Sequence, residues 1–228
     1  MPRAQAETLS PVGAETNTKD RILEASLHLF NADGVEATSI AAISLRAGIA
    51  PGNLTYHFPK KREIIIEILA RFEAAMDAIN RDLLDGLVRG ERSVTAAETV
   101  QFLVATMRAI WSNRFFFTSI PAMQDKVILA RLSKIETRAL SGISQLMQKA
   151  LDVQVLAPLR YPNTTSVLAE NVWHLLWGRI FFQRVGGGNS ATLERAVVHK
   201  MLTHVGALIQ PHTTPEFVTA FCDEINAR

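Results

Sequence analysis

A chain of 228 residues with 48% hydrophobic and 20% charged residues can bury a packed core, so disorder is excluded as its default state. A net charge of +2 is too small to argue for nucleic acid, and any such argument has to be local. One cysteine, Cys222, excludes an internal disulfide and a cysteine-built zinc site, and it fits a reducing cytoplasm. No apolar run approaches the roughly 20 residues of a membrane span. Residues 1–17 lack the apolar centre of a secretory leader and read as a flexible arm carrying Arg3. A cytoplasmic protein with no membrane partner is expected.

Helical spacing runs along the chain and no convincing alternating strand interrupts it, so the expected fold is all-α. The first helix is predicted from Thr18, a plausible N-cap, to about Ala32, and Asp33-Gly34 stops it. The second starts after Thr38 and ends at Gly48, with Ile40, Ile43 and Ala47 inward. The link Gly48-Ile49-Ala50 is short and forces a sharp angle. Pro51 suits the first turn of the third helix, where its missing N–H would be unpaired anyway. Leu54 and Phe58 lie one turn apart and face the core, which leaves Gly52, Asn53, Thr55, Tyr56 and His57 outward.

Pro59 breaks that helix. A long fourth one follows from about Lys60 to Leu87, with Ile65, Leu69, Phe72, Met76, Ile79 and Leu83 as its apolar stripe. Further helices are expected over about 95–112, 125–151, 164–185 and 191–209, and from Thr214 to the end. Thr95 with Glu98 has the capping-box spacing, and Thr214-Pro215-Glu216 is a cap, a first-turn proline and an acidic first turn. Pro158 and Pro162 mark a kinked segment, and Gly186 to Asn189 a loop.

The interval from Thr38 to Arg62 carries the chemistry. No acidic residue lies between Glu36 and Glu63, while Arg46, Lys60, Lys61 and Arg62 are basic. A helix, tight turn and helix with such a surface suits a DNA groove, because phosphates repel carboxylates and attract Lys and Arg. Gly52 allows close backbone approach, or simply helps the turn. Asn53 can pair with the N6 and N7 of adenine, and Thr55 can offer its hydroxyl or touch a thymine methyl; otherwise they form a solvated face. Tyr56 and His57 suit phosphate or sugar contacts, with partial core packing as the alternative for Tyr56. Lys61 sits at a helix start, where the dipole also favours an anion.

From Lys19 to Phe72 the segments ILEASLHLFNADG, TSIAAISLRAG and GNLTYHFPKKREI follow one another at the spacing of the TetR family of bacterial transcriptional regulators, which the chain resembles. The resemblance implies a dimeric repressor. Residues 18–62 would form a three-helix helix-turn-helix DNA-binding domain, and 63–228 an all-helical ligand-binding and dimerisation domain. The third helix would enter the major groove of a palindromic double-stranded DNA operator. Thr38, Ser39 and Lys61 would touch phosphate, and Pro51, Gly52, Asn53, Thr55, Tyr56 and His57 would lie on the recognition surface. Four positions depart from the family pattern. Ala50 stands at a cap position where Ser or Thr is frequent, Lys60 replaces a frequent Ser at the cap before the fourth helix, Thr55 replaces a frequent Tyr, and Leu45 a charged residue.

Beyond the fourth helix, bulky apolar residues suit either a pocket for a small, apolar or amphipathic effector or plain core. Trp111, Phe115, Met147 and Trp177 are the pocket candidates; His174 could orient a polar ligand group, with a satisfied core histidine as the favoured alternative. Val172, Leu176 and Ile180 recur at helical spacing, as do Val197, Met201 and Val205. Paired with their symmetry mates these stripes would form a four-helix homodimer interface; the alternative is packing inside one subunit. No HExxH, P-loop or Gly-x-Ser-x-Gly elbow is present, so no catalysis, metal or cofactor is expected. An architectural DNA binder indifferent to sequence, or a helical carrier of apolar molecules, are the rival readings.

Overall fold

The computed structural model describes residues 11–90, 93–118, 124–185 and 193–227. The helices in chain order are α1 (Pro11–Asp33), α2 (Ile40–Ala47), α3 (Pro51–His57), α4 (Lys61–Val88), α5 (Ala96–Ser112), α6 (Lys126–Asp152), α7 (Thr165–Val185), α8 (Arg195–Ile209) and α9 (Pro215–Asn226). Short 3-10 turns follow α5 (Arg114–Phe117) and α8 (Gln210–His212). The expected all-α class holds, with an N-terminal helix-turn-helix and a C-terminal helical region; no β-strand is found among the described residues. No helix there is long and apolar enough to cross a membrane.

α1 begins at Pro11, upstream of the expected start at Thr18. Proline fixes φ at a helical value and is tolerated in a first turn, and no second proline follows to stop the helix before Asp33. The arm anticipated over 1–17 is therefore helical from Pro11 on; residues 1–10, Arg3 among them, lie outside the described residues.

The chain divides into two compact units, Met1–Ile68 and Leu69–Arg228, with the division inside α4. In the first unit Ile22, Phe30, Ile43, Leu54, Phe58 and Ile64 are buried. In the second, the buried stripe of α4 (Leu69, Phe72, Met76 and Leu83) continues as the spacing predicts, and Phe115 and Phe116 bring large rings into the core. α4 is tied to α6 by two ion pairs, of which the first is bidentate. Arg131 donates to both carboxylate oxygens of Glu73, at 3.0 and 2.5 Å. Arg138 Nη1 reaches both oxygens of Asp77, at 3.0 and 2.8 Å. The forked Arg131–Glu73 pair fixes orientation as well as distance. One turn further along, Asn80 Oδ1 lies 2.8 Å from where a Cβ on Gly142 would be, so glycine lets the two helices close up.

Candidate nucleic-acid interface

Local caps set the geometry of the helix-turn-helix. Ser39 caps α2, its Oγ accepting from Ala42 N–H at 3.0 Å. Gly48 ends α2 in the left-handed region, φ 65°, and Ile49 N–H returns to Ser44 C=O at 3.0 Å. Arg21 of α1 then takes the carbonyls left over, Nη2 donating to Ala47 C=O at 2.5 Å and Gly48 C=O at 3.0 Å. A cation at a helix C-terminus is favoured by the dipole as well as by these bonds. Sequence reasoning missed Arg21; its one available signal was the row of unpaired carbonyls that every helix end leaves.

α3 starts at Pro51 without a side-chain cap, as Ala50 implied. Leu54 and Phe58 are buried, and this fixes which face of the helix turns out. Pro51, Gly52, Asn53, Thr55 and Tyr56 are exposed, and His57 is half-buried. Tyr56 is 75% exposed, which removes core packing as its role; its ring meets His57 edge-on at 5.2 Å. The Asn53 amide has no partner within the described chain. The Thr55 hydroxyl lies 3.2 Å from Pro51 C=O and 3.1 Å from Gly52 C=O, so its proton stays in the helix and it can offer only lone pairs and a methyl. Gly52 has no positive φ, and a Cβ there would meet nothing within 4 Å. Nothing inside the protein calls for glycine at this position.

Two anticipated phosphate ligands are placed differently. Thr38 is 3% exposed and its hydroxyl donates to Gly34 C=O at 2.7 Å, so its side chain is structural and not available to phosphate. A short loop that must turn from α1 into α2 buries its own carbonyls and needs such donors. Lys61 is half-buried, and its Nζ donates to Val35 C=O at 2.6 Å and Thr38 C=O at 2.7 Å. An ammonium has three donors, so one remains for an outside group. Ser39 stays exposed and keeps its hydroxyl proton for a further acceptor. Arg46, Lys60 and Arg62 are at the surface around this face, and so is Leu45, 84% exposed.

In the C-terminal unit the four pocket candidates do not share a pocket. Met147 lines an apolar cavity of about 60 Å³ among α5 to α9, far below the usual ligand-pocket size of roughly 300–1,000 Å³. Trp177 lines a separate open groove of about 530 Å³ between α6 and α7. Trp111 and Phe115 line neither. Both are buried core: Trp111 carries the Arg114 guanidinium 4.5 Å above its ring, and Phe115 packs on Phe116 at 4.1 Å.

The expected dimer stripes also need correction. Val172, Leu176, Val197, Met201 and Val205 are all buried inside the single chain, Leu176 completely. The Ile180 side chain lies outside the described residues. Each late helix turns its most apolar stripe onto its own neighbours, because that burial is available without a partner. Among the described residues, α7 turns Ser166, Glu170, Asn171 and His174 outward, with Gly178 half-buried.

The chain matches the family model described as "Bacterial regulatory proteins, tetR family" over residues 22–68 and the one described as "Bacterial transcriptional repressor" over residues 71–221. It is 33% identical over 73 residues to the HTH-type transcriptional repressor KstR2 of Mycobacterium tuberculosis, a match covering 32% of this chain and 36% of that protein. The chain thus spans about a third of the length of the curated relatives it matches. Among solved structures it is similar to a TetR-family transcriptional regulator from Marinobacter aquaeolei VT8, with a TM-score of 0.76 and 24% identity over 92% of this chain and 98% of that one. It is also similar to a gamma-butyrolactone receptor described as ArpA-like, with a TM-score of 0.62 and 16% identity over 93% of this chain and 96% of that one.

Proposed function

Since the chain belongs to the TetR family of bacterial transcriptional repressors, we propose that it binds a palindromic DNA operator as a homodimer through α3 and lets go when a small apolar or amphipathic effector occupies its C-terminal unit. The observation that carries this reading is the outward face of α3. Gly52 there has no internal reason to be glycine, the Asn53 amide is uncommitted, and Tyr56 stands in solvent. Close backbone approach, a bidentate partner for adenine and a phenol for the sugar–phosphate backbone are what a major-groove helix needs. Ser39 and the remaining donor of Lys61 would meet phosphate at the front of α2 and α4, and His57 the backbone beside Tyr56.

Dimerisation follows from operator symmetry, since two α3 helices about 34 Å apart enter successive major grooves. Gly178 supports α7 as a contact, because a Cβ there would meet nothing within 4 Å among the described residues. A glycine in mid-helix lowers stability, and close approach by a second helix gives it a purpose. α4 runs from the first unit into the second, where Arg131 and Arg138 of α6 hold it. An effector that binds better to another setting of α4 would weaken DNA binding by linkage.

Selection of duplexes from genomic DNA, followed by anisotropy titrations on the selected and a scrambled site, tests the reading. Preference for the selected site is expected, and Asn53→Ala should cost about 1–3 kcal/mol of that preference while leaving stability unchanged. Equal affinity for both duplexes would turn the reading toward an architectural binder, and no affinity for either toward a helical carrier.

A further inference from the structure

The groove between α6 and α7 has a composition that the operator-binding reading does not use. Phe116, Phe117, Trp173 and Trp177 wall it, and its volume of about 530 Å³ suits a small organic molecule. The rings are mutually braced: Phe117 and Trp177 lie 3.7 Å apart between centroids, and Trp173 and Trp177 meet edge-on at 5.8 Å. Into this aromatic wall α6 sets a carboxylate, Glu136. It is half-buried, and its described bond is to a neutral donor, Trp173 Nε1–H, at 3.1 Å. Among the described residues, no Lys or Arg lines the groove. The other titratable side chain on it, His174, is exposed in the single chain.

A partly desolvated carboxylate without a cation is costly, and the faces of Trp and Phe attract positive charge for the same reason that Glu136 does. An anion would be repelled by both. A neutral apolar guest would cover Glu136 and leave it unpaired. We propose that this groove is a binding site for an amphipathic organic cation, a protonated amine or quaternary ammonium, whose charge sits beside Glu136 and whose apolar body lies against Trp173 and Trp177. The inference deepens the effector half of the reading above and rests on it for any effect on DNA, but binding itself does not.

The test therefore uses the full chain without DNA, so that its failure is separate from any failure to find an operator. Tetraphenylphosphonium and tetraphenylborate have nearly the same shape and opposite charge. Calorimetry and quenching of tryptophan fluorescence should show one saturable site per chain for the phosphonium, with the borate at least about tenfold weaker. Glu136→Gln keeps an acceptor for the Trp173 N–H and removes the charge. It should weaken the phosphonium about tenfold and close the gap between the two ions. Equal affinity of the native protein for both ions, or an unchanged phosphonium affinity in a folded Glu136→Gln, overturns the proposal. Should that variant not fold, Ser133→Lys places an ammonium on the exposed rim of the groove. It should exclude the phosphonium, and undiminished binding overturns the proposal equally.

Discussion

In the DNA-binding unit the long cations close backbone ends: Arg21 takes the last carbonyls of α2, and Lys61 those of the turn before it. In the C-terminal unit several polar atoms are buried with no hydrogen-bond partner among the described residues, Asn80 Oδ1, Thr106 Oγ1, Trp111 Nε1 and Trp177 Nε1 among them. Ser26 Oγ is the counterpart described in the first unit. The contrast does not extend to open space, since a cleft of about 460 Å³ lined by Arg21, Glu24 and Arg46 lies in the first unit and a groove of about 530 Å³ in the second. A fold that must present one surface to a rigid double helix benefits from satisfied backbone ends. A unit that responds to a guest, as proposed for the second, would gain from unmet donors, each of which lowers the cost of rearrangement.

Four substitutions probe that contrast, from the largest effect to the smallest. Leu54→Ala removes a fully buried side chain behind the outward face of α3, and urea unfolding should show a loss of about 3 kcal/mol together with loss of operator binding. A small loss would mean that the unit relaxes easily and is not the rigid member of the pair. Arg21→Met keeps the bulk of the chain and removes two charge-assisted bonds to the end of α2. It should cost about 1–2 kcal/mol, with a matching drop in operator affinity. Thr106→Val, in the second unit, removes a buried hydroxyl that has no partner and should stabilise the protein by about 1 kcal/mol; destabilisation would point to a hidden partner for that oxygen. Gly52→Ala should raise stability by roughly 0.5–1 kcal/mol, because the helix gains a better former and no clash. It should nevertheless weaken operator binding, and a gain in both properties would mean that α3 keeps its distance from DNA.

How far the sequence could be read follows the same division. The ends of α2 and α3 were legible because Ser39, Gly48 and Pro51 each have a backbone reason to stand where they do, and Leu54 with Phe58 fixed the facing of α3. The roles of Thr38 and Lys61 were not, since a hydroxyl or ammonium near a helix start suits a phosphate and a backbone carbonyl equally well, and spacing cannot choose. The start of α1 was missed because Thr18 is a good cap and Pro11 a good first-turn residue, and the more upstream signal prevailed. In the second unit, Val172 and Leu176, and likewise Val197, Met201 and Val205, repeat every four residues, which suits a core stripe and an interface stripe alike. The same ambiguity scattered Trp111, Phe115, Met147 and Trp177 among core, cavity and groove. Glu136, flanked in sequence by Ile135 and Thr137, gave no signal; its surroundings come from α7.

The Lys61 bonds have a mechanical consequence. Lys61 is the first residue of α4, yet its ammonium is fastened to carbonyls just ahead of α2. The front of α4 and the approach to α2 are thus clamped, so a swing of α4 at that point carries α2 along instead of sliding past it. If an effector shifts α4 as proposed, the fulcrum of that shift lies downstream of the clamp, and the length of helix beyond it would act as the lever arm.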